Sequence, residues 1–362
     1  MTAINHREKT PLIRISKREN MSIAGMLAVR IGAFVLAIVL GGLIFACLGT
    51  NPIEAYMQMI NGSLGKASGI RQVVKIAVPL LTVALALAPC FKMKYWNIGA
   101  EGQITIGAIC CSYFALYWYD KLPSFVLLIV MAIAAILGGG IWALIPALFK
   151  SRYNTNETLF TLMMNYIAIG IAAWLCGGPW EGKPGSQIIP MFNEKAVLPK
   201  IGGVHIGWIF ALIFVVVMFI YMNYTKQGYE IAVLGESENT ARYAGMNVSR
   251  IVLRTVFISG ALSGFAGYMV ASGTDMTLFS NVANNVGFTA ITVCWLSQLN
   301  PFVMVIISAL IAILSRGSSV LQTQLSIPST ISSIITGIIL LCLLGCEFFI
   351  NYEVSFRKKG EN

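Results

Sequence analysis

Charge is what this sequence has least of. Lysine, arginine, aspartate and glutamate together supply 11% of its 362 residues, less than half of the roughly 25% usual in soluble domains. Mean hydropathy is +0.77, and apolar runs recur at close to the ~20 residues a spanning helix needs. The chain therefore reads as an all-α polytopic membrane protein. The period-two alternation of a membrane barrel is absent. Histidine is scarce as well: only His6 and His205 occur, no HExxH pattern is present, and a metal site is not expected. Eight cysteines (Cys47, Cys90, Cys110, Cys111, Cys176, Cys294, Cys342, Cys346) lie in or beside apolar runs. None has the CxxC spacing of zinc or redox sites, so they read as small buried hydrophobes. A GxxxxGK[ST] phosphate loop is missing too, since Gly62 to Lys66 has the wrong spacing. No nucleotide is bound by that route, and no nucleophile–base pair marks a membrane-embedded enzyme.

What charge there is leans basic, 25 residues against 15 for a net +10. The basic residues gather beside apolar runs, as the positive-inside bias predicts, so membrane topology accounts for them better than nucleic-acid binding. Residues 1–25, with Arg7, Lys9, Arg14, Lys17 and Arg18, read as a cytoplasmic tail. Ile31 to Leu48 is too long for a secretory h-region and reads as a retained first span. Asn51 to Lys75 is amphipathic and expected at the outer surface, although Lys66, Arg71 and Lys75 go against the charge bias there. Further spans are expected at 76–91, from the stretch Trp96–Gln103 to Tyr119, from Pro123 to Lys150, and over Glu157–Gly177, Ile206–Tyr224, Ile251–Ala271, Val286–Leu299, Phe302–Leu314 and Ile331–Ile350. Residues 178–205 form an external loop, 225–250 a cytoplasmic one, and 351–362 a cytoplasmic tail. The transmembrane domain is thus 26–350, with about ten crossings and both termini inside.

The stretch Trp96-Asn97-Ile98-Gly99-Ala100-Glu101-Gly102-Gln103 is the least lipid-like part of any span. A charged side chain at bilayer depth costs roughly 2.5–3.5 kcal/mol on insertion scales. Glycine-loosened backbone is tolerated there only against protein or a water-filled cavity. Asn97 and Glu101, four apart, would share a helix face. Two roles are open for Glu101: lining a pathway, or accepting hydrogen bonds from freed amides to hold a broken helix together. Glu157, Thr161 and Asn165 recur every four residues as a polar stripe, either lining a pathway or bonding a neighbouring helix. Thr289, Thr292, Ser333 and Thr336 offer lesser candidates. Ser259, Gly260, Ser263, Gly264 and Gly267 form a small-residue surface suited to close helix approach.

An internal echo connects the two halves. Asn97-Ile98-Gly99 reappears as Asn285-Val286-Gly287, a proline opens the next span in each copy (Pro123, Pro301), and a threonine opens the one after (Thr158, Thr330). The copies start on opposite sides, the pattern of an inverted-topology repeat with broken helices near the solute path. In the polar loop, Glu238 to Ala244 is helix-competent, with Glu238–Arg242 and Asn239–Tyr243 each four apart and Gly245 just beyond. It is a solvated surface helix or a docking helix for a cytosolic partner.

That loop resembles the coupling loop of ABC-type permeases of the branched-chain amino acid and simple-sugar class, nucleoside/simple-sugar branch. Three further stretches are similar in the same order: Asn97 to Gln103, Asn156-Glu157 through Thr161 to Tyr166, and Gly287 to Ile291 through Asn300-Pro301. The resemblance covers roughly residues 75–345. It implies a two-permease core, homo- or heterodimeric, two cytosolic ATPases that bind ATP and Mg, and an extracytoplasmic solute-binding protein. It also implies residence in the plasma (inner) membrane. Coupling to the ATPases would fall on Glu238, Asn239, Arg242, Tyr243 and Gly245. The solute path would run past Asn97, Glu101, Gln103, Glu157, Thr161, Asn165, Asn285 and Thr289. Nucleosides rank first as solute, simple sugars second and branched-chain amino acids last. The chain has Thr289-Ala290-Ile291 where relatives often carry an acidic residue, which leaves the solute open. The rival is an ion-gradient carrier working through Glu101 and Glu157.

Overall fold

The computed structural model describes residues 13–17, 22–186, 188–325 and 329–356. Much of the basic tail, with Arg7, Lys9 and Arg18, lies outside the described residues, as does the side chain of Ser333. The described residues are almost entirely helical: β1 (Ile13–Lys17), α1 (Ile23–Cys47), α2 (Pro52–Leu64), α3 (Ala67–Lys92), α4 (Ala100–Tyr117), α5 (Ser124–Tyr153), α6 (Glu157–Cys176), β2 (Lys200–Ile201), β3 (Val204–His205), α7 (Gly207–Tyr224), α8 (Lys226–Glu236), α9 (Glu238–Tyr243), α10 (Val248–Tyr268), α11 (Val286–Leu296), α12 (Pro301–Gln324), α13 (Ser329–Asn351) and β4 (Tyr352–Phe356). Every apolar run expected to span coincides with a helix. Among the described residues, seven helices are long and apolar enough to cross a membrane: α1, α3, α5, α6, α7, α10 with its extension, and α12. α11 and the stretch Ile334–Ile350 of α13 are shorter apolar helices.

Two compact units are present. The smaller comprises the described residues up to Gln58 and from Leu321 onward. There α1 packs on α13, Arg30 pairs with Glu347 at 2.8 Å, and β1 runs antiparallel to β4. Both terminal segments, read from sequence as polar tails, thus contribute a strand each.

The larger unit, 59–320, is built around α3. From Val78 to Phe91 this helix is buried on all sides, as expected for a helix that is apolar all round. It also starts nine residues earlier than the hydropathy predicts, so Arg71 and Lys75 belong to its first turns. Beside it, α10 crosses α4 and α5 at very close range, and glycines make that possible. A Cβ on Gly139 would stand 2.7 Å from the Cα of Gly264, and one on Gly267 would stand 2.9 Å from the Ala108 nitrogen. The small-residue surface read in the sequence is this packing face. Of the cysteines, Cys90, Cys111, Cys176, Cys294 and Cys346 are buried as expected, whereas Cys47 is exposed.

α10 ends in a π-helical segment, Met269–Asp275. The loop between α6 and α7 is fastened to it: Ser272 Oγ donates to the Ala196 carbonyl at 2.5 Å, and Leu198 N–H donates to Ser272 O at 3.1 Å. His205 is buried in this joint. Gly207 N–H donates to His205 Nδ1 at 3.2 Å, so the proton of the neutral ring resides on Nε2, which faces Thr274 Oγ1 at 3.4 Å. Burial, and then the Lys75 ammonium, hold the imidazole down to about 4 from its usual 6.5. A histidine kept neutral by the fold contributes stability above its unfolded pKa and loses it as pH falls toward the folded one. Hydrogen exchange over residues 188–206 is therefore expected to accelerate as pH drops from 6.5 to 4, after correction for the intrinsic rate, and to stay flat in His205→Gln.

Candidate functional site

The stretch Trp96–Ile98 is irregular backbone, and α4 begins only at Ala100. Asn97 and Glu101 therefore do not share a helix face, contrary to the sequence expectation: Asn97 precedes the helix and turns its side chain back on the chain. Its Oδ1 accepts from Gly99 N–H and from Gln103 Nε2, both at 3.0 Å, and its Nδ2 donates to Ser259 Oγ at 3.2 Å. Asn97 is fully buried and Gln103 is 1% exposed. Ser259, which the sequence offered only as a packing residue, is thus a polar partner of the turn.

α6 supplies the other side. Its N-cap Asn156 accepts from Leu159 N–H, and the stripe one turn further on faces the broken segment. Thr161 Oγ1 accepts from Ile98 N–H at 3.2 Å. Asn165 is double-pronged, with Oδ1 accepting from Gly102 N–H at 2.8 Å and Nδ2 donating to Ile98 O at 2.9 Å. Gly102 is needed for the approach, since a Cβ there would stand 3.0 Å from the Asn165 Cα. Thr161 and Asn165 so satisfy backbone groups that an unbroken helix would have satisfied itself.

Glu101 reaches across to the other copy of the echo. Its two carboxylate oxygens accept from Asn285 N–H at 2.7 Å and Gly287 N–H at 2.8 Å, which are the first amides of α11. The start of α4 and the start of α11 come together here, and a Cβ on Gly287 would stand 2.8 Å from both Glu101 Cα and Oε2. Two helix N-termini, each equivalent to roughly half a positive charge, share one carboxylate that is 1% exposed. Of the two roles open from sequence, holding the break together is the one this geometry displays. Asn285 itself is left-handed at φ 62°, and Thr289 Oγ1 donates back to its carbonyl at 2.9 Å.

Glu157 is placed differently from the rest of its stripe. It pairs with Lys150 at 3.0 Å across the turn from α5 to α6. Both line a cleft of about 510 Å³ together with Tyr95, Leu234, Glu238 and Arg242. Its company is the polar connection between α7 and α10, not the buried hub around Asn97. The sequence signal was Lys150 itself, read there only as a topology marker.

That connection contains two helices where the sequence suggested one. α9 matches the expected segment, capped by Ser237, and Arg242 donates to Glu238 at 2.6 Å as the spacing implied. Asn239 is exposed, Tyr243 is 93% exposed, and Gly245 ends the helix at φ +74° with open space around it. α8 was not read from the sequence. Its Ile231 and Leu234, with Ala241 of α9, share a buried cluster with Met93 and Tyr95, the residues that lead into Asn97. Arg254 of α10 pairs with Glu230 at 3.0 Å and fastens α8 from the other side.

Comparison with known proteins places the chain in a family. Residues 69–344 match the family described as branched-chain amino acid transport system / permease component. The chain belongs to that family. It is 29% identical to the glucose ABC transporter permease protein TsgB13 of Haloferax volcanii, over 90% of each chain. It is 28% identical to the guanosine ABC transporter permease protein NupP of Bacillus subtilis, over 91% of this chain and 96% of that one. With the nucleoside ABC transporter permease protein NupB of Lactococcus lactis it shares 26% identity over the same fractions. This permease component is a multi-pass membrane protein and a transport subunit. The carrier reading gives way, and the two carboxylates it relied on are engaged with backbone amides and with Lys150.

Glu101→Ala would strand the buried Gly287 amide, at about 1–3 kcal/mol, and the part-buried Asn285 amide at less. Thermal unfolding of the purified permease is expected to fall markedly in Glu101→Ala and by about half as much in Glu101→Gln, whose single carbonyl satisfies one amide. Equal melting of all three proteins would show that the bridge contributes nothing.

Proposed function

We propose that the chain is the membrane-spanning part of an importer that takes up nucleosides, with simple sugars as the second choice. Import would be driven by ATP and Mg bound to two cytosolic ATPase subunits. A second permease, identical or paralogous, would complete the core, and an extracytoplasmic binding protein would deliver solute in the plasma membrane. The solute class rests on what the relatives are named for, two of the three nucleoside permeases aligned over nearly their whole length. α4, α11 and α13 bring the seven long spans to ten crossings, and the echo of Asn97–Gly99 in Asn285–Gly287 supports an inverted repeat. With both termini inside, residues 178–205 are external and residues 225–250 cytoplasmic.

One observation supports the mechanism above all: the polar connection is packed directly on the segment that leads into the broken turn. Ile231 and Leu234 touch the same cluster as Met93 and Tyr95, two residues before Asn97. In this reading the exposed side of α9, with Glu238, Asn239, Arg242, Tyr243 and Gly245, meets the ATPase. Displacement of α8 then acts on Met93–Tyr95, and through Asn97, Gln103, Thr161, Asn165 and Glu101 on the starts of α4 and α11. Asn285 and Thr289 are the members of the set that face outward from the hub into the solute path. The step is a population shift that needs ATP and the loaded binding protein to favour different conformations.

Arg242→Glu reverses the exposed end of α9, and Gly245→Glu forces a left-handed residue there at about 1 kcal/mol. Each is expected to cut ATP-driven uptake at least ten-fold in vesicles holding the whole complex, with unchanged amounts of permease in the membrane. Normal uptake in both variants removes the coupling role.

A further inference from the structure

A cluster of three rings lies beside the broken turn, and its side chains take no part in the hydrogen bonds of the bridge. Phe91 of α3, Trp96 of the irregular segment and Trp295 of α11 lie with centroids 5.9 Å (Phe91–Trp96), 5.9 Å (Phe91–Trp295) and 5.5 Å (Trp96–Trp295) apart. The Trp295 ring is stacked on both others, at 24° to Phe91 and 22° to Trp96. Phe91 is 5% exposed and closes the back, whereas Trp96 and Trp295 are 43% and 40% exposed.

Uncovered aromatics on a membrane protein ordinarily face lipid or its interface, but the strip these belong to differs in composition from a plain aliphatic face. Phe288, Thr292 and Trp295 follow one another at helical spacing along one side of α11, and Asn285 stands just ahead of its first turn. Three of the four are exposed, and Thr292 is half-buried. The corresponding strip of α7, Leu212, Val216 and Ile220, is aliphatic throughout and 46–49% exposed. Hydrocarbon has nothing to offer an amide or a hydroxyl. A face that alternates such groups with flat rings suits a solute with a planar π-surface at one end and hydroxyls at the other.

We infer that Trp96 and Trp295 form a stacking platform for the base of a nucleoside in transit, with Thr292, one turn away, meeting a hydroxyl. This rests on the importer reading above and sharpens it toward nucleosides over sugars, because a saturated ring has no π-face to stack. A half-open platform also fits transit better than a closed pocket, since a solute that must leave has to be held weakly. Trp96 adjoins Asn97, so a change at the hub carries the platform with it.

The test uses vesicles holding the whole complex with its ATPases and binding protein, and measures maximal uptake of guanosine and of glucose. Trp295→Ala is expected to lower the guanosine rate about ten-fold, the scale of losing one base–aromatic stack. Trp295→Phe, which keeps a ring, should retain most of it, and ATP hydrolysis without solute should be unchanged in both. Guanosine uptake by Trp295→Ala equal to wild type overturns the platform while leaving the importer standing. So does wild-type import of glucose alone. Loss of the two-permease core in Trp295→Ala, seen as a change in the size of the complex, also overturns it, since the strip would then be a subunit contact. Import of neither probe by the wild-type complex counts against the importer reading itself.

Discussion

A helix that starts inside the membrane leaves its first amides with no partner, and nothing in hydrocarbon can supply one. This chain starts two helices, α4 and α11, beside each other in its buried interior, and the same shortage of partners applies there. Most of what is unusual in its sequence follows from that single debt. Glu101 serves the first amides of α11, while Asn165, Thr161 and Asn97 serve the turn before α4. Glu101, at the start of α4, holds the start of α11, so the two breaks are joined through one side chain. The carboxylate that looks most expensive in the hydropathy profile lies where two partial positive charges meet, and its burial there offsets theirs.

The same arrangement explains why the small residues fall where they do. Gly102 and Gly287 lie at the contacts between the broken segment and its partners, and Gly139, Gly264 and Gly267 let α10 pass close to α4 and α5. Close packing confines the polar hub on the α10 side through Ser259, so the hub has fixed partners on three helices. A structure of that kind has discrete arrangements, not a continuum of them. That suits a gate which an external motion drives between states.

Much of this was legible in the sequence because hydropathy and polarity are local signals. The spans, the polar interruption at 96–103, the α6 stripe and the glycine surface of α10 all announce themselves within about twenty residues. What was not legible is pairing at long range. Nothing near Glu101 names Asn285, which lies 184 residues away, and the helical periodicity that put Asn97 and Glu101 on one face assumed a helix that starts only at Ala100. Glu157 was grouped by spacing with Thr161 and Asn165, yet Lys150 draws it to the other end of the stripe. α8 was missed because Lys226–Glu236 holds two glycines and a weak apolar face. Its helix is stabilised by burying Ile231 and Leu234 against Met93 and Tyr95, which is tertiary packing overriding local propensity.

That last contact gives the architecture its direction. Rigid elements transmit a displacement only where they are fastened at both ends, and α8 is fastened to the α3 end by its apolar side and to α10 by Arg254–Glu230. From Tyr95 to Asn97 the chain has too few residues to absorb a shift by bending, and Asn97 is bonded on arrival to Gly99, Gln103 and Ser259. In the proposed mechanism a push on α8 reaches a turn held by several hydrogen bonds at once, which are exchanged together. In the coupling proposed above, that exchange is the physical step, and Glu101 is the side chain that links it to the start of α11.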